Sequence, residues 1–147
     1  MNLRVLVAAI VGAIVMFTLG YLIFHLALGT FLHSQMIPYP GLMKEPMPDM
    51  VPLALSNFAF AWLYAYIFDQ WAGVSTFFGG VIAGITIAIP LAIAIDLQYL
   101  AFMNLYRSIT VLFVDVAAIA VMNGITGGVM GIILGKMRVP ILSSRGL

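Results

Sequence analysis

The sequence predicts an all-α integral membrane protein, a bundle of four transmembrane helices with both termini on the cytoplasmic side. Three observations carry that expectation: an extreme apolar composition, four apolar stretches of spanning length, and the placement of Lys and Arg between them. Of the 147 residues, 64% are hydrophobic and 7% charged, against roughly half and a quarter in soluble domains. Six cations and five anions are too few to cover a water-soluble fold of this size. Disorder requires the opposite balance of charge and hydrophobicity. A net charge of +1, with the cations scattered along the chain, gives no basic face for nucleic acid. The absence of cysteine removes disulfide frameworks, thiol nucleophiles and thiolate metal sites.

A bilayer core of about 30 Å takes roughly 20 helical residues, and stretches 5–28, 50–68, 76–97 and 110–134 meet that length. The first is broken only by glycines, Thr18 and His25. It is too long for a signal core of about 7–15 residues, so it is expected to remain in the protein. The second follows a proline-rich connection and ends before Trp71. The third begins after Ser75, a candidate N-cap, and contains Pro90, read as a kink that fits the helix to its neighbours. The fourth begins at Thr110 and holds Asn123, expected to bond across to another helix. The spans make residues 1–147 a single membrane domain. Helices satisfy their own backbone in lipid, and no strand-like alternation of a membrane barrel is visible.

Arg4, Lys136, Arg138 and Arg145 fall on the side of the termini, whereas the two opposite connections hold only Lys44 and Arg107. That asymmetry places both termini in the cytoplasm. The longer outer connection, 33–49, contains Pro38, Pro40, Pro46 and Pro48, together with Met36, Ile37, Leu42, Met43 and Met47. Prolines favour an extended path. The apolar residues suit a loop folded back over its own bundle or, alternatively, a docking surface for another subunit.

Glycine is the strongest internal pattern. Gly80 and Gly84 in the third span, and Gly124, Gly128, Gly131 and Gly135 in the fourth, are expected to bring helices into close contact. On a straight helical wheel they lie away from Asp96 and Asp115, which predicts a packing face and a separate acidic face on each helix.

An ionisable residue within a span is a functional candidate. Asp96 and Asp115 fall in the outer halves of adjacent spans, joined by a connection with Asn104 and Arg107, and Asn57 lies at a similar depth. The functional reading is a polar pocket that binds a cation or passes a proton. The plainer reading pairs the acids with Arg107 or with interfacial polar groups. Two carboxyls competing for one guanidinium predict that one, Asp115, carries a proton near neutral pH. His25 is a weak candidate for an axial contact to a haem or pigment, the plainer reading being a hydrogen-bonded interfacial histidine. His25 and His33 on one helix end cannot form a two-helix haem site. The sequence requires no cofactor, and no catalytic constellation or metal motif is visible.

Several segments together carry a resemblance: Gly41-Leu42-Met43-Lys44-Glu45-Pro46, Ala65-Tyr66-Ile67-Phe68 with Trp71 and Ser75-Thr76, and Gly127-Gly128 with Gly131 and Gly135-Lys136. With Asp96, Asn104 and Asp115 they resemble a family of small four-helix bacterial inner-membrane proteins that has no assigned activity. The resemblance implies a bacterial inner membrane and four spans, and it supplies no substrate or functional residue. The expected function is a non-catalytic accessory subunit of a larger membrane complex, with lipid and other integral subunits as partners. The alternative is a small ion- or proton-coupled channel or transporter, acting as a homo-oligomer through Asp96 and Asp115.

Overall fold

The structure is a computed structural model that describes residues 2–44 and 47–138. Glu45, Pro46 and Arg145, which enter the expectations above, lie outside the described residues. Helix α1 (Leu3–Gly20) continues into a π-helical segment, Tyr21–Ala27, and a short α2 (Gly29–Gln35) follows. Helices α3 (Met50–Gln70), α4 (Phe77–Phe102) and α5 (Thr110–Lys136) complete the helices of the described residues. Four helices, Leu3–Ala27, α3, α4 and α5, are long and apolar enough to cross a membrane, as in a multi-pass membrane protein.

Helix ends overrun the apolar stretches that mark them. Helix α4 extends to Phe102 through Gln98 and Tyr99, and His33 lies in α2, so the outer connection begins at Met36 rather than at residue 33. Hydropathy marks lipid contact, and these turns are helical without being uniformly apolar. The N-cap of α4 is Thr76 rather than Ser75, its Oγ1 accepting from the Gly79 N–H at 3.1 Å. Pro90 sits inside a continuous helix with its ring exposed, facing away from α5.

Helix α1 packs against α3 and α5, and α4 packs along α5, while α3 and α4 barely touch. Two ends of the molecule follow. The terminal end holds Arg4, Gln70 and Lys136, and the loop end holds the connections 36–49 and 103–109. The main core lies in the terminal half, where Val5, Ala8, Ala9, Met16, Tyr64, Phe68, Met130 and Leu134 are buried together. Every buried residue of α3 lies between Ala61 and Asp69. At this end Gly73, with φ of +60°, turns the chain from α3 toward α4 while the Val74 N–H bonds the Phe68 carbonyl at 2.9 Å.

The contact between α4 and α5 follows a four-residue period on both helices. On α4 it runs through Thr76, Gly80, Gly84, Ala88, Ala92 and Asp96. On α5 it runs through Gly135, Gly131, Gly127 and Asn123, and Asp115, two further four-residue steps along, meets Asp96. A Cβ on Gly80 would fall on the Gly127 carbonyl oxygen, and one on Gly84 would fall on that of Asn123. Gly131 and Gly135 meet the Thr76 and Ser75 carbonyls in the same way. Gly124 faces the Ile85 side chain, and Gly128 faces the Phe77 ring. Four residues turn an α-helix through about 400°, so this seam winds about 40° per step around each helix. It joins glycines at the terminal end to the two acids at the loop end. The separate acidic face expected from the straight wheel is therefore corrected: glycines and acids lie on one winding seam.

Candidate functional site

Asp96 on α4 and Asp115 on α5 stand at the loop end of this seam, with their carboxyls within hydrogen-bonding reach of each other. Both line a cavity of about 240 Å³ whose walls include Leu100, Val111 and Leu112. Its roof is the α4–α5 connection, which contributes Tyr106, Arg107, Ser108 and Ile109. Asp96 Oδ2 is buried and accepts no hydrogen bond from any donor among the described residues.

The expectation that Arg107 is shared between these acids is corrected. Arg107 lines the same cavity but forms an ion pair with neither. Its backbone N–H is held by the Gln35 carbonyl at 2.8 Å, and its side chain stays at the exposed surface. Two unit charges 4 Å apart at an effective dielectric of about 20 repel by about 4 kcal/mol. A proton or a cation between the carboxyls removes that repulsion, so the arrangement is suited to holding one.

Asn57 does not join the pocket. Its Nδ2 donates to the Leu53 carbonyl of its own helix at 2.8 Å, because α3 barely touches α4. The exposed Asn104 contributes its backbone carbonyl, which accepts from the Tyr39 hydroxyl at 3.1 Å. Asn123 bonds the Ile119 carbonyl one turn earlier at 2.8 Å rather than reaching another helix. A helix in lipid offers this carbonyl to any short amide side chain, so the bond across is not needed. His25 is exposed on the π-helical segment, its ring stacked on Tyr21 at 4.9 Å, and it does not line the cavity. Among the described residues no group of three metal-ligating side chains is assembled.

Two participants were not singled out from the sequence as parts of a site. Tyr106 faces the carboxyl pair, and burial, followed by the negative charge of Asp115 and Asp96, pushes its phenol above the ordinary tyrosine value. Asp69, at the terminal end, has a fully buried side chain whose Oδ1 lies 2.9 Å from Arg4 Nε. The angle of approach makes no directed hydrogen bond, so the Arg4 contact is one of charge. Gln70 Nε2 donates to the other oxygen, Oδ2, at 2.7 Å. The signals available were the four-residue spacing from Gly80 to Asp96 and the shared membrane depth of Arg4 and Asp69. Comparison with known protein families, characterised proteins and solved structures finds no match to this chain.

Proposed function

We propose that the protein is a small cation- or proton-binding transporter or channel, with Asp96 and Asp115 as its binding site. One observation carries this reading: two neighbouring carboxyls line a cavity with no cation at ion-pair distance among the described residues. The accessory-subunit reading drew on the glycine faces, the lack of a catalytic constellation and the negligible soluble mass, and α4 and α5 use the glycine faces against each other. Support therefore moves to the acid pair. The Lys and Arg distribution favours cytoplasmic termini, which makes the loop end the outer one. The family resemblance favours a bacterial inner membrane. The terminal half is filled by a packed apolar core, so the route would be completed by a homo-oligomer.

Flux in proteoliposomes tests the reading, with imposed proton, sodium or potassium gradients. The parent should dissipate at least one gradient, and Asp96→Asn and Asp115→Asn should each slow it about tenfold. Equal rates in parent and variants, or none above protein-free vesicles, would contradict it. Orientation is tested separately, since cysteines at Met43 and Ala72 should label from the outer and inner faces of the membrane, respectively.

A further inference from the structure

The connection that roofs the carboxyl pair is held from a distant part of the chain. Tyr106 and Met36 form an antiparallel bridge. The Ile37 N–H donates to the Leu105 carbonyl at 2.9 Å, and the Arg107 N–H donates to the Gln35 carbonyl at 2.8 Å. The Tyr39 hydroxyl adds a bond to the Asn104 carbonyl at 3.1 Å. Three bonds from residues 35–39 thus hold Asn104, Leu105 and Arg107; Arg107 lines the cavity, as does Tyr106, the bridge residue between two of the bonded positions. The roof is not helical, and Phe102, Met103 and Asn104 before it are exposed. A few hydrogen bonds between half-buried, non-packed connections are the kind of contact that opens locally while packed helices stay intact. The same bridge holds Arg107 at the cavity, where its charge opposes an entering cation.

We infer that the bridge between residues 35–37 and 105–107 is a strap that closes the roof over Asp96 and Asp115, so that its opening controls access to them. The inference rests on the reading of that pair as the binding site. It makes the exposed 38–44 segment the handle of the strap: whatever displaces this segment uncovers the acids and moves Arg107 away from the cavity.

The bridge geometry supplies the test. Met36 and Tyr106 are flanked by the two backbone bonds rather than joined by them, which sets their Cα atoms about 4.5 Å apart. A disulfide spans that distance, and the chain has no cysteine of its own. The full-length Met36→Cys/Tyr106→Cys protein should therefore lock on oxidation. The readout is the rate at which a water-soluble carbodiimide with an amine modifies Asp96 and Asp115, followed by mass spectrometry of peptides. Oxidised protein should react about tenfold more slowly than the same protein reduced, a comparison in which the lost tyrosine cancels. A second variant, Ile37→Pro, removes one strap donor without touching the cavity lining and should speed the modification several-fold. Equal rates in the locked and reduced forms, failure of the disulfide to form, or an unchanged rate in Ile37→Pro would overturn the strap. Because the readout is reagent access rather than flux, a protein that moves no cation still gives a decisive answer.

Discussion

At the terminal end Asp69 is buried with Arg4 2.9 Å away and Gln70 donating to its second oxygen, whereas at the loop end Asp96 and Asp115 face each other without a cation partner among the described residues. The surroundings differ in the same sense. Asp69 closes a core of aromatic and aliphatic side chains, while the acid pair lines a cavity under a non-helical roof. A carboxylate matched with a charge and a hydrogen bond is part of the scaffold, and it ties α1 to α3. Two carboxyls matched only with each other leave a deficit of positive charge that a ligand can fill. This contrast separates a matched acid from an unmatched pair within one small protein.

The contrast depends on the α4–α5 seam that joins the two ends, and breaking the seam should have the largest effect. Gly80→Ala puts a Cβ on the Gly127 carbonyl oxygen, and backbone cannot step aside. The expected cost is about 3 kcal/mol, the upper part of the overpacking range, seen as a lower thermal midpoint by circular dichroism in detergent. Gly20→Ala is the control, since its nearest neighbour would be Met122 Sδ at 3.8 Å, and it should change stability by less than about 0.5 kcal/mol.

Removing Arg4 comes next. Arg4→Met leaves the Asp69 carboxylate buried without its charge partner, a change that costs about 3–5 kcal/mol when both partners are fully buried. Arg4 is one-third exposed, which lowers the expectation to about 2 kcal/mol. The double variant Arg4→Met/Asp69→Leu should recover much of the loss. Arg107→Met, at the other end, should change stability by less than about 0.5 kcal/mol, because its exposed side chain pairs with neither Asp96 nor Asp115. If Arg107→Met proved as costly as Arg4→Met, the two ends would not differ as described.

The smallest effect concerns Tyr106. Its phenol is raised by burial and then by the adjacent acids, so the parent minus Tyr106→Phe absorbance difference should titrate above the ordinary tyrosine value of about 10. The folded state holds this proton more tightly than the unfolded chain does. Its contribution to stability is complete below the ordinary value and fades as pH rises through the raised one. Neutralising both Asp96 and Asp115 to Asn should move the titration down. An unmoved midpoint would place Tyr106 beyond the influence of the pair.

Length and hydropathy made the four spans readable, because lipid imposes both on any crossing helix. The same signal fails where a helix continues through polar residues, as at Thr30, His33, Ser34 and Gln35 of α2 and at Gln98 of α4. The acids were readable as isolated charges in apolar stretches, but their position relative to the glycines was not. A straight wheel assigns Gly131 and Asp115 to different sides of α5, while the seam winds around the helix and puts both against α4. The Arg4–Asp69 pair joins residues 65 positions apart, and only the antiparallel packing of α1 on α3 brings them together. Tyr106 carried no signal beyond its aromatic type, since a long-range bridge to Met36 sets its place.

The central claim is that Asp96 and Asp115 act as a pair, holding one proton or one cation between them. Infrared difference spectroscopy of the purified protein in cation-free buffer near neutral pH tests this most directly. A protonated carboxyl stretch should be present in the parent and should fade when a bound cation replaces the proton. It should be lost in Asp115→Asn and weaken in Asp96→Asn, because burial and the neighbouring charge together retain the proton and each replacement removes one member of the pair. A parent without the band, or a band that survives in both single variants, would show that the two acids do not share a charge and would contradict the account.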